Sequence, residues 1–592
     1  MLSVLIAVTA VNAQSWSSQI RSANPTLPEI QTAFYDFWKG KEIERGKGYK
    51  AFKRWEWYWQ QRVDAKGNFP RPDVLFTAND AYKQEQASRQ TASPASAANW
   101  TFMGPSTSAG GYNGIGRINC IAFHPTLVNT FWVGTPAGGL WKTTDAGATW
   151  TTNTDNLPVL GVSDIAINPA NPSIMYIATG DGDAAQSLPN GYGDTKSVGI
   201  LKSIDGGATW NTTGLNWDVA ASGLIRRLII HPTDPQRLIA ATSSGIYRTV
   251  NSGANWTLQA FGWFMDVEFK PTDPNYVYAS TFDDAGANAQ IFTSVNNGVN
   301  WSQVTSFSGI IRINLAVSAS LPTLVDALCA NAQGGLYGLY YSNNNGASFT
   351  QYFNGTCSNN ILNSAANAGA CGGQGSYDLA YAINPANSDE LWVGGVNTWR
   401  TTDGGANWFL KNIWSQSQSA AVQEVHADKH FIAFHPLNNA LVYECNDGGI
   451  YVTSNGGTNW TNRSNGLGIS QIYRIGVNQQ LSNDVMCGLQ DNGSKELYNG
   501  TWTEQTGGDG MECIIDYTNG NIMYATYVNG LIYKTTDGGT NWTVIAQNNG
   551  AAGTANEAGD WVTPYIMHPT VNTTLLVGKS QVYKTVNSGT SW

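Results

Sequence analysis

The sequence predicts an all-β protein, a β-propeller of four-stranded blades preceded by a short helical segment. Three observations predict it. First, one turn motif, Ser/Thr-x-Asp/Asn-x-Gly-x-Thr/Ser/Asn-Trp/Phe, recurs nine times. Its aromatic ends fall at Trp150, Trp210, Trp256, Trp301, Phe349, Trp408, Trp460, Trp542 and Trp592, mostly 45–60 residues apart. Second, the intervals hold short apolar runs of strand length, such as Ile118 to Pro125, Thr130 to Gly134 and Gly139 to Thr144. Third, only 12% of residues are charged, while Gly, Asn, Ser, Thr and Trp are abundant. That balance suits short strands joined by polar turns, and a fixed period of this length marks a repeat architecture.

In chain order, Met1 to Ala13 has the apolar core and small-residue end of a signal peptide, although the basic leader is missing. Residues 14–83 are expected to form a helical segment. Pro28 and Glu29 suit a first turn, and Phe34, Phe37 and Trp38 fall on one face. Residues 84–98 read as a linker. Each repeat then runs strand, strand, strand, motif turn, strand. In the turn, the Asp or Asn binds nearby backbone N–H groups, Gly takes a positive φ and the aromatic ring packs between sheets. Asp145, Asp205, Asn251, Asn296, Asn344, Asp403, Asn455, Asp537 and Asn587 are therefore assigned structural roles.

The 82 residues between Trp460 and Trp542 have room for two blades, the extra one lacking the motif. Its strands are expected at Ile472 to Val477, Val485 to Leu489 and Thr501 to Gln505. That makes ten units, the last stopping at Trp592 before a fourth strand. Either the chain is a fragment, or Asn99-Trp100-Thr101-Phe102 completes the tenth blade.

A net charge of −10 argues against nucleic-acid binding, which needs clustered Lys and Arg. No later apolar run approaches the length of a membrane span. Of the seven cysteines, Cys357 and Cys371 are expected to pair, while Cys120, Cys445, Cys487 and Cys513 fall in predicted strands as buried thiols. No zinc spacing is present, and no metal or cofactor is expected.

These turns resemble the Asp-boxes of sortilin-type domains, sialidases, xyloglucanases and photosystem II assembly-factor propellers. A nearer resemblance is to large secreted propeller proteins of Bacteroidetes-like bacteria, often exported by the type IX system. It rests on Gly114-Ile-Gly-Arg-Ile118, Gly138-Gly-Leu-Trp-Lys142, Gly373-Gln-Gly-Ser-Tyr-Asp378, His426-Ala-Asp-Lys-His430, Asn446-Asp-Gly-Gly449, Leu489-Gln-Asp-Asn-Gly493 and Gly507-Gly-Asp-Gly510. The resemblance implies tandem seven-bladed propellers, a first at 99–465 and an incomplete second at 466–592. A single ten-bladed ring is the alternative. Xyloglucanases carry an acid in a Thr-Asp-x-Gly-Gly turn of the first blade. The matching stretch here is Thr135-Pro-Ala-Gly-Gly139, with Pro136 in place of that acid. Sialidases need three converging arginines, for which Arg117, Arg226, Arg227 and Arg312 are candidates.

Propeller geometry places the motif turns on one face and the inter-blade links on the other. The second face collects Asp181, Asp183, Asp283, Asp284, Asp447, Asp491 and Asp509, although Asp-Gly is also an ordinary hairpin turn. In Glu424-Val-His-Ala-Asp-Lys-His430, an extended chain would direct Glu424, His426, Asp428 and His430 to one face. The candidate binding residues are thus His426, Asp428, His430, Asp447, Asp491 and Asp509. The expected function is a secreted or cell-surface module that binds a polysaccharide or an extracellular protein. The enzyme alternative is a glycoside hydrolase with paired carboxylates in a cleft between propellers.

Overall fold

The computed structural model describes residues 25–43, 48–70, 74–92, 100–109, 114–183, 195–217, 223–283 and 286–592. The expected leader at 1–13 and Asp284 lie outside them. Ten antiparallel sheets follow one another along the chain, nine of four strands and the last of three. They make blade 1 (residues 120–152), blade 2 (162–216), blade 3 (225–261), blade 4 (264–306), blade 5 (310–354), blade 6 (380–412), blade 7 (429–462), blade 8 (472–506), blade 9 (513–546) and blade 10 (565–585). Within each sheet the neighbours are consecutive strands, as in a propeller. The fold is a multi-blade β-propeller, and the blade without the motif lies where the spacing placed it.

The motif turns show how the sequence makes the blades. In blade 1, Asp145 accepts hydrogen bonds from the Thr149 backbone N–H (2.8 Å) and the Thr149 hydroxyl (2.6 Å). Thr143 donates to Asp145 (2.8 Å) and accepts from the Gly147 N–H, while Gly147 sits at φ +83°. Hydrogen bonds from Thr149 and Thr143 hold the Asp145 carboxyl down at about 2. The Asn version is equivalent, with Asn251 accepting from the Asn255 N–H at 2.9 Å.

The motif aromatics fill the seams between blades. Trp150 packs with Phe131 and Val133 of blade 1 against Tyr443, Cys445, Ile450 and Val452 of blade 7, and its indole donates to the Arg463 carbonyl at 2.8 Å. First strands touch in a circuit from blade 1 through blade 7 and back to blade 1. Blade 7 thus packs on blade 1, not on a tenth blade. Blades 8 to 10 form a separate arc, with Met486 of blade 8 on Met523 of blade 9, and Tyr524 of blade 9 on Leu575 of blade 10. Burying each such side chain contributes about 1.5–3 kcal/mol.

Three helices precede the blades: α1 (Leu27–Trp38), α2 (Tyr49–Gln60) and α3 (Val74–Ala92). Phe34 of α1 stacks on Phe52 of α2 with centroids 3.6 Å apart. Helix α3 continues to Ala92, into the stretch read as linker, because Gln, Glu, Ala and Arg there are good helix formers. Asn79 of α3 donates to the Asn156 carbonyl beside blade 1.

The expectation that Asn99 to Phe102 completes blade 10 is wrong. Trp100 and Phe102 are 92% and 68% exposed. The segment behind them joins blade 8 instead, where Ala109 bridges to Thr503 in parallel and Trp502 donates to the Met103 carbonyl. Blade 8 lacks the motif turn, and its outer strand Thr501–Thr506 offers a free edge that this segment occupies. Cys357 and Cys371 form a disulfide, and the other five cysteines are buried thiols.

Candidate functional site at the mouth of the ring

A charged network plugs the centre of the seven-blade circuit. The turn after the second strand of blade 2 carries Asp183, which is 1% exposed. It accepts from Arg226 of blade 3 (2.7 Å), Arg312 of blade 5 (3.1 Å) and His430 of blade 7 (3.1 Å). The other imidazole nitrogen of His430 faces Asp447 at 2.8 Å. Tyr377, from the link between blades 5 and 6, donates to Asp447 (2.7 Å) and accepts from Arg117 (2.8 Å), which also pairs with Asp181. Burial opposes charge on Asp183, but Arg226, Arg312 and His430 hold its carboxyl far below the ordinary range. Burial likewise opposes charge on His430, but Asp447 and Asp183 lift it above the usual imidazole value. Below this plug the channel holds a cavity of about 200 Å³ lined by residues including Arg227, Asp266 and Glu268.

A second layer of carboxyls lies against the plug. Gln374 donates to Asp428 at 2.8 Å. Burial, and then Asp447, push Asp428 up to about 7. Asp509, in the link from blade 8 to blade 9, accepts from the Gln490 amide (2.8 Å) and the Asp491 N–H (2.9 Å). Burial, Asp447, Asp509 and Asp428 raise Asp491 well above the carboxylate range. Asp378 is fully buried, and neither of its carboxyl oxygens reaches a partner outside its own residue. Burial, and then Asp428, raise its pKa strongly. His426 donates to the Asp491 carbonyl at 2.9 Å, and burial lowers its pKa to about 4, so it is a neutral tether between blades 7 and 8. At the outer edge, the half-exposed indole of Trp561 donates to Tyr473 (3.1 Å), whose hydroxyl hydrogen-bonds to Gln490.

All six candidate binding residues therefore meet in one place, but not as the strand pattern implied. Asp428 stands at φ +64°, in the left-handed region, and the ladder slips between Lys429 and Phe431. That breaks the alternation expected from Glu424 to His430. Glu424 turns away to accept from the Gln416 N–H, His426 ties blade 8, and His430 enters the plug. Asp491 is also left-handed, at φ +56°. Asp tolerates this region better than most residues, and the same left-handed geometry recurs in motif turns at Ala146, Ser252 and Asn297. Asp283 stands apart and caps its own turn by accepting from the Gly286 N–H.

Arg117, Arg226 and Arg312 do converge, but each is already paired with Asp181 or Asp183. Arg227 points elsewhere, to Asp164, Asp266 and Glu268. Among the described residues, no group of three His, Cys, Asp or Glu side chains is arranged to hold a metal ion. The sequence reading missed Gln374, Asp378, Tyr473, Gln490 and Trp561 as site residues. Gln374 and Asp378 lie in a motif it had marked, and Gln490 lies beside Asp491. Nothing in the sequence pointed to Trp561.

Fold and site together define a multi-blade propeller with a cluster of carboxyl, amide and aromatic side chains beside a plugged centre. Solved structures share this fold. An ancestral GH74 enzyme matches with a TM-score of 0.57 at 16% identity, over 83% of this chain and 69% of that one. The GH74 xyloglucanase of Xanthomonas campestris matches at 0.50 and 14% identity, over 82% and 80%. PorZ, a surface component of the type IX secretion system of Porphyromonas gingivalis, gives 0.43 and 14%, over 82% and 59%. No protein-family model and no curated protein matches the chain. No described helix is long and apolar enough to cross a membrane.

Proposed function

We propose that this is a secreted or cell-surface glycan-binding propeller whose ligand lies in the cleft between the ring mouth and blade 8. The observation that carries the reading is the meeting of Asp428, Asp491 and Asp509 with the amides of Gln374 and Gln490. Half-buried carboxyls and amides beside aromatic rings offer acceptors and donors for sugar hydroxyls. An extracellular protein is the other class of partner. Nucleic acid is disfavoured by the charge balance, and the channel arginines are spent on carboxylates.

Glycoside hydrolysis is a second reading, favoured by one observation. Asp428, Asp491 and Asp509 lie close together, with Asp428 raised to about 7 and the Asp491 N–H on Asp509, and a pair of neighbouring carboxyls is what acid–base catalysis at a glycosidic bond uses. The loss of the xyloglucanase-type acid at Pro136 counts against this reading.

The test is reducing-sugar release and affinity retention on plant and host polysaccharides, comparing wild type with Asp428→Asn and Asp509→Asn. Retention without release supports the binding module. Release that either variant abolishes makes the protein a hydrolase. Neither release nor retention removes glycans and leaves a protein partner.

A further inference from the structure

We propose that the outward face of helix α2 docks weakly and reversibly on an anionic membrane surface, through the rings of Trp57 and Tyr58 and the charges of Lys50, Arg54 and Arg62. The proposal concerns a surface remote in sequence from the blades and is independent of the glycan reading.

The face follows from how α2 is held. One side of the helix packs on α1 and the link that follows α2. Phe52 stacks on Phe34, and Trp55 and Trp59 meet Phe69 with centroids 5.8 and 5.3 Å apart. On the same side Glu56, 2% exposed, accepts from Gln31 at 2.8 Å and Tyr35 at 2.7 Å and pairs with Lys53. At 3.6 residues per turn, Lys50, Arg54, Trp57, Tyr58 and Gln61 then share the opposite face. Trp57 is 67% exposed and Tyr58 41%. Arg62 borders them, donating to the Tyr58 carbonyl at 2.8 Å with its guanidinium 3.7 Å from the Tyr58 ring centroid.

Charge selects the partner. The stretch from Tyr49 to Val63 holds four Lys or Arg and one acid, in a chain of net charge −10. That acid is Glu56, which is buried and already paired. Asp64 turns back to accept from the Lys66 and Asn68 N–H groups at 2.8 and 2.9 Å. Glu29 and Asp36 belong to α1, on the other side of α2, and Glu42 in the link between the helices is outweighed by Lys39 and Lys41 beside it. An exposed Trp and Tyr among Lys and Arg suit the headgroup layer of a bilayer. There the rings reach the apolar boundary, the indole N–H and phenol stay wet, and the cations meet phosphates. Two rings and a few charges make this a reversible contact, not an anchor. Nucleic acid would call for a broader basic surface than one helix face on an acidic chain.

Co-sedimentation of the full chain with vesicles tests the proposal, using phosphatidylcholine alone and phosphatidylcholine mixed with phosphatidylglycerol. The expected result is binding to the mixed vesicles only, with release in about 1 M salt, where screening falls to about 3 Å. Lys50→Gln and Arg54→Gln should each weaken partitioning about fivefold, and Trp57→Ala several-fold, with melting curves like wild type because the three side chains are exposed. No binding to the mixed vesicles overturns the proposal, as does equal binding to both vesicle types. Binding that all three variants retain assigns the membrane contact to another surface and overturns the role of α2. Retention on duplex DNA without vesicle binding overturns the membrane in favour of nucleic acid.

Discussion

Replacing Asp183 by Asn removes one negative charge from the centre of the ring and keeps the side chain's shape. Asp183 is fully buried and accepts from Arg226 at 2.7 Å, Arg312 at 3.1 Å and His430 at 3.1 Å. Removing one partner of a buried ion pair costs about 3–5 kcal/mol, because the remaining charges stay buried without compensation. Asn keeps one acceptor oxygen, so the expected loss is at the low end, about 3 kcal/mol. With an unfolding entropy of about 2.1 cal/mol/K per residue over a unit of roughly 350 residues, this lowers Tm by about 4 °C.

The pH dependence gives an independent check. Asp183 is depressed in the folded state, so its stabilisation is present above about pH 4 and is lost as pH falls further. His430 is raised, so its contribution is full below about pH 6.5 and is lost as pH rises through its folded value. Asp183→Asn should weaken both flanks together. Differential scanning calorimetry from about pH 2 to 9 measures this. A Tm within about 1 °C of wild type, with an unchanged pH profile, would refute the charged plug as a stabilising element.

Asp428 titrates in the opposite sense to Asp183. Its folded pKa is raised to about 7, so ionisation destabilises the protein progressively from about pH 4 up to pH 7. Asp428→Asn should therefore be the more stable protein at pH 8, and thermal melts at pH 5 and pH 8 should show the gap opening. Asp145→Asn should melt like wild type at neutral pH, since Asn251 already does the same work in blade 3. It should lose the part of the acid sensitivity that lies between about pH 4 and 2, as read by denaturant midpoints. Cys357→Ser with Cys371→Ser should cost up to about 3 kcal/mol by loop-closure entropy. Hydrogen exchange should also rise at residues 373–378, which carry Gln374 and Tyr377 into the site. Ellman's reagent should find no reactive thiol in the native protein and five after denaturation in guanidinium, because burial raises those thiols and hides them.

The blades were legible in the sequence because each motif turn is a local object. The Thr143 to Trp150 segment contains its own donors, acceptors and glycine, so its hydrogen bonds close within eight residues and need no distant partner. Strand order followed from the same repeat. The helix over 84–92 was misread because a polar stretch without periodic apolar residues looks like a linker, although its residues favour a helix. The place of Trp100 to Phe102 was misread because the resemblance of that stretch to a fourth strand says nothing about which open edge the chain will meet, and the edge is met later, at Ala109.

The sequence by itself determined the architecture, and it named a set of acids in turns between strands and blades as candidates. Tertiary structure alone decided that blade 7 meets blade 1, and that His430 belongs to an ion plug shared by Asp183 and Asp447, while Asp428 and Asp491 face the cleft. It also decided that the mouth arginines are already paired and that Trp561 stands beside Gln490 through Tyr473. The physical reason is distance along the chain. Turn chemistry acts within a few residues, whereas desolvation and charge pairing depend on neighbours brought in from other blades, such as Arg117 at Tyr377 and Asp183 at His430.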